Sequence, residues 1–129
     1  MHDWITPDWP APPNVKALFT TRSGGVSRDS NGAYASMNLG AHVHDELTNV
    51  LQNRALLCRH LPSEPQWLKQ VHGVAPVAID HTIESYPTGD AAFSHCSGTV
   101  CAVMVADCLP VLLCDSAGTA VGVAHEHPA

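Results

Sequence analysis

Residues 111–125 read VLLCDSAGTAVGVAH. Two apolar runs, VLLC and TAVGVAH, flank DSAG, a cluster of turn-forming residues. Runs this short and this close favour an antiparallel hairpin, and a hairpin alone does not bury enough to be stable in water. More strands and a covering layer must come from the rest of the chain. With the turn centred between Ser116 and Ala117, a regular ladder sets Cys108 opposite His125. Opposed residues hold their Cβ atoms roughly 4.5–5.5 Å apart. That is the reach of two ligands on one metal ion, or of a thiol and its base. The plain alternative makes Cys108 a small buried hydrophobe and His125 a surface residue at a strand end.

Upstream, Met1 to Asn14 is proline-rich and reads as an extended leading segment. Val15 to Thr21 has the composition of a first strand, and RSGGVSRDSNGAYAS after it reads as a long loop. Asp45 is the expected N-cap of the one clear helix, with Glu46 near its positive end. Leu47, Val50, Leu51, Leu57 and Leu61 make an apolar stripe that Arg54 interrupts, and Pro62 ends it. Gln66–His72 and Val74–Ile79 read as short strands around Gly73. Asp80–Gly98 reads as irregular with a turn at PTGD, and 99–105 (TVCAVMV) as a buried strand. The whole of 1–129 is expected to be a single α/β domain.

Composition excludes several function classes. The net charge of -6 offers no field for a nucleic-acid backbone, and the scattered Lys and Arg form no polybasic run for an anionic membrane. No apolar stretch approaches the ~20 residues of a membrane-spanning helix. The acidic, proline-rich N-terminus does not resemble a secretion signal, so a cytoplasmic location is expected. Five cysteines without framework spacing point to reduced thiols or a metal ligand.

Nine histidines are many for this length. His72 closes QVHG, with a glycine behind it that lets the backbone approach another group closely. Together His72, Cys108 and His125 make a sulfur–nitrogen–nitrogen donor set. Three protein ligands and an open fourth position are the pattern of catalytic zinc. His42 and His44, in HVHD, share one face if that segment is extended, but read as surface histidines.

FTTRSGGVS (19–27), YASMNLGAHV (34–43), VLQNRALL (50–57), WLKQVHG (67–73), GDAAFS (89–94) and VADCLPVLLCD (105–115) stand in this order. They resemble the laccase-domain family, also called peptidoglycan editing factor, polyphenol oxidase or purine nucleoside phosphorylase proteins. The resemblance implies a layered α/β/β/α sandwich with largely antiparallel sheets. It implies a zinc site of His72, Cys108 and His125, the last standing for the histidine of the family's HAGWRG. Here VGVAH is followed by EHPA. The expectation is therefore roughly the N-terminal half of the family domain, truncated after the third ligand, as a frameshift or gene fragment would produce. Uncovered sheet edges would then favour self-association.

The resemblance implies phosphorolysis of adenosine, inosine and methylthioadenosine, with deamination of adenosine. A zinc-bound hydroxide suits attack on adenine C6, and Asp107 and Asp90 are the candidate proton shuttles. Phosphate binding falls to Arg22, to a backbone nest at Gly24 and Gly25, and to the hydroxyls of Ser23 and Ser27. Asn38 is the candidate for ribose or base, while Asn53 and Arg54 could brace the loop from the helix. The partners are thus a purine nucleoside and phosphate. The alternatives are an inactive remnant, a copper polyphenol oxidase, or a cytosolic amidase of peptidoglycan precursors. The amidase would use Cys108 as nucleophile and His72 or His125 as base.

Overall fold

The hairpin forms, in a different register from the one expected. The computed structural model describes residues 3–28, 34–41, 43, 45–106 and 109–126. Its regular elements are a helix α1 (Leu47–Cys58), strands β1 (Pro76–Ala78), β2 (Ala91–Ser94), β3 (Leu109–Cys114) and β4 (Val121–Glu126), and one 3₁₀ turn at Ile79–His81. The strands make one sheet in the order β1-β2-β4-β3. β1 runs parallel to β2, while β2–β4 and β3–β4 are antiparallel, so the α/β class with a largely antiparallel sheet is what is seen.

In the β3–β4 ladder Cys114 faces Val121 and Pro110 faces His125, not Cys108. The turn sits one residue later than DSAG implied. Gly118 takes the left-handed conformation (φ 73°) that glycine adopts at little cost. The Asp115 carboxylate accepts the N–H groups of Thr119 (2.7 Å) and Ala120 (3.1 Å), closing the loop from inside. A side chain that folds back on its own turn outcompetes a symmetric two-residue bend. Pro110, which lacks an N–H, sits on the edge strand, where that lack is tolerated.

The chain divides into two compact units, one within residues 1–9 and 17–61, the other within 10–16 and 62–129. In the first, α1 is shorter than the apolar stripe. Its N-cap is Glu46, with no side-chain capping bond, and 3₁₀-type bonds from His60 to Leu57 and Leu61 to Cys58 follow its last turn before Pro62. Pro62 disfavours helical geometry in the residue before it. The buried face is Val50, Asn53, Arg54 and Leu57, a true i, i+3, i+4, i+7 set. Leu47 and Leu51 are more than half exposed. Two of the four inward residues are therefore polar, and Arg54, expected to interrupt the face, belongs to it. The predicted strand at 15–21 is reduced to one antiparallel bridge, Phe19 with Ile5.

In the second unit Leu68, Ile79, Ala92 and Val123 form the core, with Val77, Cys101, Val103 and Leu112 packed against it. The expected strand 99–105 makes no ladder. It makes a single parallel bridge between Cys101 and Gln66. Farther along, the Gln70 side chain replaces a neighbouring strand, donating to Met104 O (2.8 Å) and accepting Met104 N–H (2.7 Å). Likewise 66–72 pairs only through bridges at Gln66 and Lys69. Conversely, Ala91–Ser94 lies within the stretch expected to be irregular, yet it forms β2, hydrogen-bonded to strands on both sides.

Candidate metal centre

The β2–β4 pairing continues one step before the start of β2. Ala91 faces Ala124, and the His125 N–H donates to the Asp90 carbonyl at 2.8 Å. Asp90 and His125 are thus cross-strand neighbours, and both are buried, at 2% and 8% exposure. Asp90 Oδ1 lies 3.6 Å from His125 Nδ1, within ion-pair range of a protonated imidazole. Gly89 sets up this approach. A Cβ there would stand 2.6 Å from Val77 Cγ2 and 2.9 Å from the Ala75 carbonyl.

The Asp90 carboxylate also gathers the QVHG turn. Oδ2 accepts the N–H groups of Val71 (3.2 Å) and Gly73 (2.8 Å), and Oδ1 accepts that of His72 (3.0 Å). Three convergent donors are matched to one anion, as in a backbone nest. Burial alone would raise the Asp90 pKa. The bonds from Gly73, Val71 and His72, with His125 nearby, outweigh it and hold the carboxyl below its ordinary value. The unusual backbone falls on His72 (φ 61°), not on the glycine behind it. A non-glycine residue there costs of order 1–3 kcal/mol and persists where its surroundings over-determine it.

His72 and His125 meet. Their rings are 5.1 Å apart, edge to face at 81°. The expected convergence of these two histidines is therefore present. Cys108 and Asp107 lie outside the described residues, as do His42 and His44. Among the described residues no group of three His, Cys, Asp or Glu is assembled for a metal. The chemistry of the pair fits zinc, since two imidazoles leave room for a thiolate and an open position.

Asp90, the expected shuttle, is engaged within the fold. It is buried, and both its oxygens already accept N–H bonds. Cys101 is no nucleophile candidate, because burial, aided by Asp80, pushes its thiol up to about 11.

The expected phosphate and nucleoside residues lie in the first unit. Arg22 is exposed, and its Nε donates to Ala35 O at 3.0 Å. Gly24 has a positive φ of 100°. Gly25 is sterically required, for its Cβ would fall 2.3 Å from Ser36 O and 2.5 Å from Asn53 Oδ1. The expected anion nest is not available at Gly25, whose N–H donates to Ser36 Oγ at 3.0 Å. The hydroxyls are engaged as well, Ser23 with Asp3 and Ser27 with Asp45. Asn38, expected to meet the nucleoside, instead orders its own loop. It accepts Gly40 N–H (3.1 Å) and donates to Gly40 O (3.3 Å) and Asp45 Oδ2 (3.1 Å).

Asp45 is the hub of this loop rather than the helix N-cap. Burial works against its charge, but bonds from Ser27, Asn38 and the Glu46 N–H prevail and lower its pKa. Asn53, fully buried, accepts Val26 N–H (2.7 Å) and donates to Ser27 Oγ and Asn38 O (2.8 Å each). Arg54 Nε donates to Leu39 O at 2.9 Å. The expected bracing of the loop from the helix is therefore observed.

A family model described as multi-copper polyphenol oxidoreductase laccase matches residues 16–126. The chain belongs to this family. Among its laccase-family relatives, a Pseudomonas aeruginosa protein named purine nucleoside phosphorylase is 49% identical over 125 residues, covering 97% of this chain and 50% of the relative. Escherichia coli purine nucleoside phosphorylase YfiH is 47% identical over 127 residues, covering 97% and 51%. The crystal structure of Neisseria meningitidis protein NMB0706 superposes with a TM-score of 0.87 at 47% identity, covering 95% of this chain and 50% of that one. YlmD from Geobacillus stearothermophilus gives 0.74 at 30%, covering 90% and 47%. The chain spans about half the length of the curated relatives it matches. Among the described residues no helix is long and apolar enough to cross a membrane.

Proposed function

We propose that this chain serves purine nucleoside phosphorolysis, in which phosphate displaces the base from a nucleoside to give ribose 1-phosphate and free purine. The observation that carries the reading is the meeting of His72 and His125 on one buried carboxylate, in a chain about half identical to proteins named for that reaction. His72 and His125 would hold zinc together with Cys108. Bound zinc supplies a Lewis acid and lowers the pKa of a coordinated water to about 7. A thiolate–imidazole set also accepts copper, so zinc is the first metal to test and copper the second. Asp90 accepts the His72 backbone N–H and lies 3.6 Å from His125 Nδ1. Arg22 is the candidate partner for phosphate, as a planar guanidinium matches phosphate oxygens in pairs. Adenosine deamination belongs to the same proposal, through water attack at C6.

The test is release of hypoxanthine from inosine by zinc-loaded protein, followed by coupled oxidation to urate. Phosphate-dependent release that disappears in His125→Ala supports the reading. Release that is independent of phosphate would replace phosphorolysis by hydrolysis. No release from protein that binds zinc would leave a metal-binding remnant.

A further inference from the structure

One carboxylate touches both arms of the histidine pair. Asp90 Oδ1 accepts the His72 N–H at 3.0 Å and lies 3.6 Å from His125 Nδ1. Its other oxygen takes the N–H groups on either side of His72. Its backbone carbonyl receives the His125 N–H, and its own N–H donates to Ala75 O at 3.2 Å, just before β1. Asp90 is therefore fixed by the sheet on both sides, while its side chain fixes a turn that no ladder holds.

We propose that Asp90 is the positioning residue that makes His72 and His125 a metal-binding pair. It does so by clamping the backbone of 71–73 in the conformation that swings His72 over His125. The proposal rests on reading the pair as metal ligands, and it assigns Asp90 no proton transfer. Three N–H bonds to one anion offset the cost of the positive φ at His72. An acceptor-only group is needed for this. In Asp90→Asn an amide NH₂ must face at least one N–H donor, so the clamp opens although size and shape are kept. Groups that orient metal-ligating histidines typically govern metal affinity in this way.

The experiment compares wild type, Asp90→Asn and Asp80→Asn. The last removes a carboxylate of the same unit that bonds Ser94 and His95 instead. Zinc affinity is measured by competition with a chromophoric chelator. In metal-free protein, NMR reads amide exchange at 71–73 and the ring-to-ring Overhauser contact of His72 with His125. The expected result is zinc affinity lowered ~10–100-fold in Asp90→Asn and unchanged in Asp80→Asn. The ring contact and the protection at 71–73 are lost only in Asp90→Asn.

Wild-type zinc affinity in folded Asp90→Asn overturns the proposal. If wild type binds no zinc, the metal reading fails by itself, and the metal-free measurements decide on Asp90. Ring contact and amide protection that survive Asp90→Asn then refute it, and their loss supports it. If Asp90→Asn does not fold, the wild-type amides decide. Exchange at 71–73 as fast as in an unstructured peptide overturns the clamp, and slow exchange supports it.

Discussion

Asn53→Ala is expected to destabilise the protein by about 3 kcal/mol, through hydrogen bonds alone. Asn53 is fully buried on the inner face of α1 and makes three bonds, to Val26 N–H, Ser27 Oγ and Asn38 O. Alanine removes all three. Ser27 retains its bond to Asp45 at 2.5 Å, so its loss is small. Val26 N–H and Asn38 C=O lose the bonds they make to Asn53, at a cost of about 1–3 kcal/mol for each buried orphan. Both residues are partly exposed, so the lower half of that range applies. Alanine's better helix propensity returns roughly 0.5 kcal/mol. The shortened side chain adds a small cavity term under the loop. Urea unfolding followed by circular dichroism measures the sum as a shift in midpoint at constant slope. Amide exchange at Val26 tests the cause, since that N–H should exchange faster in the variant at urea-free equilibrium. A loss below about 1 kcal/mol would refute the reasoning. It would mean that the 24–28 loop relaxes to water at little cost and that the buried amide is not what holds it.

Two further outcomes follow from the second unit. Gly89→Ala should lower the thermal midpoint, with an overpacking cost of about 1–3 kcal/mol. The new methyl meets the Ala75 carbonyl, which cannot turn away without disturbing the backbone beside β1. An unchanged midpoint would show that the approach at Gly89 is looser than 2.9 Å. Asp80 carries a pH signature. The His95 N–H and Ser94 hydroxyl, against some burial, hold its carboxyl below the ordinary 3.8. A carboxyl depressed on folding contributes stability that is present above its unfolded value and is lost as pH falls through the lower folded value. The stability gap between wild type and Asp80→Asn, from urea midpoints, should therefore shrink as pH drops below about 4. A gap that stays constant through that range would refute the assignment.

The hairpin at 109–126 and the helix at 47–58 were legible because both depend on local chemistry: apolar runs, a turn cluster, a helical repeat. The register was not. Asp115 folding its carboxylate back onto Thr119 and Ala120 is invisible to a count of turn residues. The predicted strand 99–105 failed for a related reason. Cys101 and Val103 do pack against the core, but the Gln70 side chain occupies the place of a strand neighbour. Strand β2 was missed because AAFS is only four residues long. The glycine and aspartate just before it, Gly89 and Asp90, were the available signal, a close approach followed by a buried anion.

The candidate site divides along the same line. His72 and His125 were singled out from their residue types and from the resemblance carried by QVHG and VGVAH, and they do converge. The clamp proposed for Asp90 becomes visible only when three N–H groups are seen to point at one carboxylate. Similarly, the Arg22–Ser27 loop looks from its composition like an anion cradle, but its Gly25 N–H and Ser27 hydroxyl are bonded within the fold.

By itself the sequence determined family membership, fold class and the identities of the chemically capable side chains, because motif order and periodicity are properties of residues along a line. Only the tertiary structure decided which polar groups remain for a ligand. A hydrogen bond engages its donor and acceptor, and the partners that engage Gly25 and Asp90 come from other segments of the chain.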